Sequence, residues 1–202
     1  GAALVYPGSG DYVYGFRGDA TTTFYRYSIS GNAWTAMAPA PATVYAGGAL
    51  AYPGSGDFIY ALRGYTTTDF YRYSISGNAW TAMAPVPATV YSGGGLAYPG
   101  SGDFIYALRG NNTQDFYRYT ISTNAWTSMA PAPGTIGGGG GLAYPGSGDF
   151  IYATRGNGIY DFYRYSISGN AWTSMASSYG NGSLVYPGRG DYIYAFNDWT
   201  TT

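Results

Sequence analysis

The chain has 202 residues, a formal net charge of −1, and neither cysteine nor histidine. Without cysteine it has no disulfide framework and no thiolate metal site. Without histidine it lacks the commonest general base and the commonest transition-metal ligand, and we expect no cofactor. Nine Arg balance ten Asp, and Lys and Glu do not occur. The chain therefore lacks the excess of positive charge that is typical of nucleic-acid-binding proteins.

The composition also bears on where the protein works. Tyr (25 residues) and Gly (33 residues) are heavily used, together with Thr, Ser and Asn. This composition without Lys or Cys is more usual outside cells, so we expect an extracellular or cell-surface protein. No window approaches 18 consecutive apolar residues, and we therefore expect no membrane span.

One turn sequence, Tyr-Pro-Gly-Ser-Gly-Asp, recurs along the chain. It starts at Tyr6, Tyr52, Tyr98 and Tyr144, and it returns as Tyr-Pro-Gly-Arg-Gly-Asp at Tyr186. The first three intervals are 46 residues and the last is 42. A period in this range indicates a propeller, a solenoid or an array. We divide this single repeat domain, 1–202, into repeats 1–46, 47–92, 93–138 and 139–180 and a half repeat, 181–202.

The second repeat shows the pattern that the others share. Gly47–Tyr52 is a run of small residues that ends at a Pro-Gly turn. Asp57–Arg63 and Phe70–Ile75 alternate as strands do, and a Ser-Gly-Asn turn follows them. Ala79–Met83 carries Trp80 and is followed by Pro-Val-Pro, which cannot continue a sheet strand. The pattern predicts four short antiparallel strands per repeat and no helix, so the fold class is all-β.

These segments resemble the kelch repeat. The resemblance is carried by Ile-Tyr-Ala-Leu-Arg-Gly, by Asp-Phe-Tyr-Arg-Tyr, and by a Trp seven residues after the last Tyr. That spacing holds in four copies: Tyr27–Trp34, Tyr73–Trp80, Tyr119–Trp126 and Tyr165–Trp172. One departure is systematic, because Arg replaces the first Gly of the expected Gly pair. The resemblance implies a kelch-type β-propeller with four four-stranded blades plus a two-stranded half blade. It also implies that the first strands line a central channel and that Tyr and Trp pack between blades.

The resemblance does not decide the function, because one fold hosts many functions. The copper-radical oxidases of this fold use His and a Cys-modified Tyr, and the chain has neither His nor Cys. The remaining enzymatic alternative is hydrolysis by paired Asp carboxylates. The Asp residues recur at one turn position in every repeat, which favours a structural role over one active site or a calcium site: Asp11, Asp57, Asp103, Asp149 and Asp191. We therefore expect no enzyme.

Two sets of arginines recur in the repeats. The channel-mouth arginines follow the second strand and are Arg17, Arg63, Arg109 and Arg155. The stacking arginines lie in the third strand and are Arg26, Arg72, Arg118 and Arg164. One interpretation is structural, with arginines paired to Asp69, Asp115 and Asp161 or stacked on Tyr. The other is functional, with the channel-mouth arginines accepting an anionic or sugar-like ligand.

The loops between second and third strands differ most among the copies. Loops on a rigid scaffold often carry recognition, and we name as candidate ligand contacts Tyr65, Asn111, Asn112, Asn157 and Tyr160. The alternative is that these loops are solvated and free to vary. Two sequons, at Asn111 and Asn181, fit N-glycosylation in a secreted protein.

The two end hairpins resemble each other more than they resemble the middle copies. Leu4–Phe16 and Leu184–Phe196 share Val and Tyr where the middle copies have Ala and Phe. In one interpretation they are end units adapted to their environment, or the chain is a piece of a longer array. In the other they are interchangeable, and the last hairpin of one molecule completes the first blade of the next. Unpaired strand edges are the natural place for such a contact.

Two function hypotheses follow. The first is a non-catalytic extracellular structural module, a surface protein or fibre subunit, which joins copies of itself or neighbouring domains head to tail through the incomplete last blade. The second is a recognition propeller that binds a glycan or a protein through its variable loops.

Overall fold

The computed structural model describes residues 2–180, 182–187 and 190–196, and these residues form only strands, turns and loops. Blade 1 contains β1 (Ala3–Val5), β2 (Tyr12–Phe16), β3 (Phe24–Ser28) and β4 (Ala33–Ala36). Blade 2 contains β5 (Ala49–Ala51), β6 (Phe58–Leu62), β7 (Phe70–Ser74) and β8 (Ala79–Ala82). Blade 3 contains β9 (Gly95–Ala97), β10 (Phe104–Leu108), β11 (Phe116–Thr120) and β12 (Ala125–Ser128). Blade 4 contains β13 (Gly141–Ala143), β14 (Phe150–Gly156), β15 (Ile159–Ser166) and β16 (Ala171–Ser174).

A fifth unit, the half blade, contains only β17 (Leu184–Val185) and β18 (Tyr194–Ala195) among the described residues. Each full blade is an antiparallel meander in which strands pair in chain order. The first strands of successive blades are neighbours, and the four sheets are arranged as a four-blade propeller. The predicted all-β fold with four blades and a half blade is confirmed.

Close approach of the first strands explains the glycine runs. Gly47 and Gly93 have φ near +87°, where L side chains are strained. A Cβ on Gly47 would collide with the carbonyl of Tyr91 in the next linker, and one on Gly93 would collide with the carbonyl of Gly137. Small residues are thus required where consecutive blades meet at the centre.

Every blade has two apolar faces, and the core lies between blades. We call the face toward the next blade in the chain the leading face; in blade 2 it includes Tyr60, Leu62 and Phe70. The trailing face points to the preceding blade and in blade 2 includes Ile59 and Tyr73. Because alternate residues of a strand point to opposite faces, both faces are buried only when two neighbours are present.

Tyr and Trp pack between blades as predicted. Trp80 of blade 2 stacks on Phe16 of blade 1, with centroids 5.6 Å apart, and meets the edge of Phe24 at 5.0 Å. Tyr73 also packs edge-on against Phe24, at 4.8 Å. The edge-on contacts of Tyr and Trp recur at the next two junctions, around Trp126 and Trp172, whereas Leu62 and Leu108 replace Phe16 there. These aromatic clusters join the repeats into one scaffold.

The connection between β14 and β15 differs from the predicted loop. Asn157 (φ 55°) and Gly158 (φ 71°) form a tight turn, and both flanking strands extend to it. Asn-Gly favours two-residue hairpins because both positions take positive φ. Tyr160, predicted as a loop residue, therefore lies inside β15.

Candidate functional site

Three of the four channel-mouth arginines are engaged within their own chain. Arg63 and Arg109 form ion pairs of 2.7 Å with Asp69 and Asp115, and Arg155 pairs with Asp161 at 2.9 Å. The hydrogen bond from Arg155 lowers the pKa of the Asp161 carboxyl. The Nε atoms donate to linker carbonyls, at Thr43, Thr89 and Thr135. These contacts tie the end of each second strand to the preceding linker.

Arg17 is the exception among the channel-mouth arginines. Thr23 occupies the position that Asp69 holds in blade 2, so the described residues contain no ion-pair partner for Arg17. Its side chain is exposed and lines a cavity on the trailing face of blade 1. It is therefore the channel-mouth arginine with the most freedom to meet another molecule.

The stacking arginines are held against aromatic rings of their own blades. Their guanidinium carbons lie 4.0–4.3 Å from the ring centroids of Tyr12, Phe58, Phe104 and Phe150. Their Nε atoms are buried without a hydrogen-bond partner. The electron-rich ring face compensates in part for the lost solvation.

The turn aspartates fasten the second strand to the third. Asp57 accepts hydrogen bonds from the Ser74 hydroxyl at 2.5 Å and from the Ser76 amide at 2.8 Å. These bonds lower the pKa of the Asp57 carboxyl, and the equivalent bonds lower those of Asp11 and Asp149. The contacts agree with the structural role predicted for these residues.

Two of the predicted loop contacts, Asn112 and Asn157, are hydrogen-bonded to each other. The Asn157 side chain donates to the Asn112 side chain across two blades, and it accepts from the Gly138 amide at 2.8 Å. Tyr65 stacks on Tyr45 with centroids 3.7 Å apart and stays 44% exposed. Asn111 is held through its main chain.

A hydrogen-bonded contact that was not predicted from the sequence joins blades 2, 3 and 4 each to the linker before it. Asn78 follows Tyr73 by five residues, has φ 47°, and accepts from the Tyr73 hydroxyl and the Ala38 amide at 2.8 Å each. Trp80 donates from Nε1 to the Ala38 carbonyl at 3.0 Å. We call this set of three hydrogen bonds the Asn–Trp clamp. It recurs at the two following junctions, with Ala84 and Ala130 in the linkers.

Blade 1 carries one half of a further clamp. Asn32 accepts from the Tyr27 hydroxyl at 2.8 Å, but the described residues place no linker against Asn32 or Trp34. Trp34 is 55% exposed, whereas the other three clamp tryptophans are half-buried. A cavity of about 460 Å³ on this trailing face is lined by Leu4, Phe16, Arg17 and Trp34, among others.

The linker side of this incomplete clamp lies at the other end of the row of blades, beside blade 4. Ala176 is the linker residue equivalent to Ala38, and it is exposed where Ala38, Ala84 and Ala130 are half-buried. Phe162 and Tyr152 on the leading face of blade 4 are also less buried than their counterparts in blades 1–3. A cavity of about 450 Å³ lies between blade 4 and the half blade. It is lined by Phe162, Ala176, Leu184, Ile193 and Ala195, among others.

The half blade presents exposed aromatic side chains. Tyr192 is 73% exposed, Tyr194 56% and Phe196 66%, and each is more exposed than its counterparts in the full blades. Asp191, unlike Asp57, has no hydrogen-bond partner among the described residues. The candidate site is thus a pair of ends with complementary chemistry.

The comparisons with known proteins bear on the fold alone. No family model matches the chain, and no curated protein sequence matches it. Among solved structures, that of YjhT matches with a TM-score of 0.69 and 15% sequence identity, over 90% of this chain and 66% of that chain. The chain thus spans just under two thirds of the YjhT chain. This likeness supports a β-propeller and carries no statement about activity.

Two further observations concern other kinds of site. No helix in the described part of the chain is long and apolar enough to cross a membrane. Within residues 2–180, 182–187 and 190–196, no three His, Cys, Asp or Glu side chains are grouped as metal ligands.

Proposed function

We propose that this chain is a non-catalytic, extracellular structural module built from kelch-like blades, and that it associates head to tail with copies of itself. The observation that carries the proposal is the match between the two ends. Blade 1 exposes Asn32 and Trp34. The opposite end exposes Ala176 and leaves Phe162 less buried than its counterparts in blades 1–3, and these are the two sides of the junction seen three times inside the chain. A heterologous contact of this kind extends into filaments when it does not close a ring.

Three features of the sequence support the remaining parts of this proposal. The Tyr–Trp spacing and the contacts of both residues with the preceding blade favour a kelch-like repeat. Abundant Tyr, Thr, Ser and Gly without Lys or Cys favour an extracellular location. The Asn111 sequon lies on a loop, which suits glycosylation in that setting, and the Asn181 sequon lies outside the described residues.

The test is light scattering on a sizing column, with negative-stain imaging of the same fraction. The proposal expects rods or a ladder of multiples of 21.4 kDa. Deletion of residues 181–202 should abolish them. A single species of monomer mass at all concentrations would refute self-association.

Recognition of a glycan is the second candidate, and one observation favours it. The hydrogen-bonded pair Asn112–Asn157 offers side-chain amides, and the exposed ring of Tyr65 offers a flat apolar surface. Amides and aromatic faces are the groups that hold sugars by hydrogen bonds and stacking. Retention of the chain on a glycan array, lost in Asn157→Ala and Tyr65→Ala, would support this candidate; no retention would count against it.

A further inference from the structure

We propose that the half blade is a strand-acceptor site, and that its ligand is the β3–β4 hairpin from blade 1 of a second copy of this chain. This inference rests on the proposed head-to-tail assembly and specifies its contact. The resulting composite blade contains β17 and β18 from one copy and β3 and β4 from the next.

The edge of β18 has the chemistry to bind a third strand. In every full blade the second strand pairs with a third strand of sequence Phe-Tyr-Arg-Tyr-Ser or Phe-Tyr-Arg-Tyr-Thr over five residues. Among the described residues β18 pairs only with β17, so its outer edge is open. Extended peptides commonly add to such edges through main-chain hydrogen bonds.

Side chains of the half blade match the same strand. Tyr192 stands where Tyr12 lies under the guanidinium of Arg26, so it can hold an incoming arginine. Asp191 stands where Asp11 accepts from the Ser28 hydroxyl at 2.6 Å and so can hold an incoming serine. One incoming third strand can therefore pair with the edge of β18, place its arginine on the Tyr192 ring and donate a hydrogen bond to the Asp191 carboxylate.

The cavity beside blade 4 matches the side chains of the fourth strand and its turn. At the inner junctions the equivalent space holds a Tyr and a Trp that pack edge-on against the Phe of the preceding third strand. Phe162 is that Phe at the half blade, and Tyr27 and Trp34 are the incoming pair. Ala176 offers the amide and carbonyl that Asn32 and Trp34 need to complete a fourth Asn–Trp clamp.

Blade 1 is the donor because its outer hairpin is the least fastened of the four. The hairpins of blades 2, 3 and 4 are each clamped to the linker before them, through Trp80, Trp126 and Trp172. The described residues give the hairpin with Trp34 no such clamp, and Trp34 is more than half exposed. Release of this hairpin from its own blade therefore breaks strand pairing but no clamp to a preceding linker.

In this exchange, the β17–β18 hairpin of one copy replaces the equivalent β1–β2 hairpin of the next copy. Tyr194 and Phe196 of the half blade stand at the positions of Tyr14 and Phe16, so β17–β18 can take the place of β1–β2 against blade 2. Pairing between second and third strands is lost once and regained once. The gain is burial of two exposed ends and one new clamp, and the cost is a displaced β1–β2 hairpin.

Cysteine cross-linking tests this contact, because the native chain has no cysteine. In blade 1, Gly15 pairs with Tyr25, so Ala195 should pair with Tyr25 of the next copy. Paired residues on neighbouring antiparallel strands have Cα atoms 4.5–5.5 Å apart, within disulfide range. We expect a mixture of the single variants Tyr25→Cys and Ala195→Cys to form a disulfide-linked heterodimer on oxidation.

The matched control is Tyr71→Cys, at the equivalent position of the clamped blade 2 hairpin. It should cross-link to Ala195→Cys at least tenfold less. Equal cross-linking of the two tyrosine positions would overturn the proposal. If light scattering shows assembly but the Tyr25→Cys and Ala195→Cys variants form no disulfide, this contact is refuted and the proposed function still stands.

A peptide test separates the acceptor site from assembly. A labelled peptide of residues 23–37 should bind the full chain by fluorescence anisotropy, and its Trp34→Ala version should bind at least tenfold more weakly, since a buried Trp is a typical binding hot spot. Ala195→Phe, which puts a ring into the cavity, should reduce binding, whereas Ala82→Phe on the exposed face of blade 2 should not. Peptide binding in a chain that stays monomeric would refute the proposed function and the second copy as natural ligand, and would support only the acceptor site. Equal binding of both peptides, or no binding, would refute the acceptor site.

Discussion

The inner junctions and the two ends of this molecule contain the same kinds of residue in different surroundings. At an inner junction, Tyr119 is fully buried and Trp126 is bonded to the Ala84 carbonyl at 2.9 Å. At the ends, Trp34 and Phe196 are 55% and 66% exposed. The difference shows that a repeat of this type completes its core only through neighbours, as in other repeat architectures. We propose that the ends left uncovered among the described residues join two copies of the chain.

High pH should break the inner junctions and has the largest expected effect. Burial raises the pKa of Tyr73 and of Tyr119 to about 12, from an ordinary value of 10.0. Folding raises the pKa of both tyrosines, so the folded state favours their neutral form. The stability associated with these two groups is therefore fully present below pH 10 and is lost as the pH rises to 12. A raised pKa at both positions therefore makes the protein lose several kcal/mol of unfolding free energy over this range.

Urea unfolding from pH 8 to 12, followed by circular dichroism, measures this loss. The double variant Tyr73→Phe, Tyr119→Phe is the control, because it cannot ionise at these positions and should lose less stability over that range. A wild-type midpoint that does not change between pH 10 and 12 would contradict the assignment.

Removal of a clamp tryptophan should distinguish the two regions. Trp126→Ala leaves a hole against Phe70 and Tyr119, whose ring centroids lie 4.9 and 5.0 Å from the indole, and should cost about 3–5 kcal/mol. Trp34→Ala removes a mostly exposed ring and should cost about 1 kcal/mol. The two values come from urea titrations of dilute protein, and equal losses would show that blade 1 is covered.

Removal of a clamp amide sharpens the same comparison. Asn78→Gly keeps the positive φ but leaves the Ala38 amide and the Tyr73 hydroxyl without their acceptor, at a cost of about 2–3 kcal/mol. Asn32→Gly affects only the Tyr27 hydroxyl and should cost about 1 kcal/mol. A larger loss at Asn32 than at Asn78 in urea titrations would refute the clamp.

The smallest expected effect concerns Arg17. Thr23→Asp should give Arg17 the ion pair that Arg63 makes with Asp69, and should stabilise the chain by at most about 1 kcal/mol at low salt. In 1 M salt the gain should vanish, because exposed pairs are screened. Thr22→Asp, one residue away, is the control and should give no such salt-dependent gain.

The sequence predicts the strands and the blade count because side-chain alternation and turn residues repeat in every copy. It predicts the turn at Asn78, since Asn tolerates the left-handed region, but it does not reveal that this amide also holds the Ala38 linker. The regular five-residue spacing from Tyr73 to Asn78 was the available signal. Exposure of Trp34 is not visible in sequence, because it shares one local motif with Trp80, Trp126 and Trp172 and differs from them only in its neighbours.

Hydrogen–deuterium exchange at two protein concentrations is the decisive test of head-to-tail association, because it locates where molecules join. We expect protection to rise with concentration in β3–β4, in 182–187 and in 190–196, while protection of the inner junction around Trp126 stays unchanged. Concentration-independent exchange at both ends, or new protection confined to the loops around Tyr65 and Asn112, would contradict it.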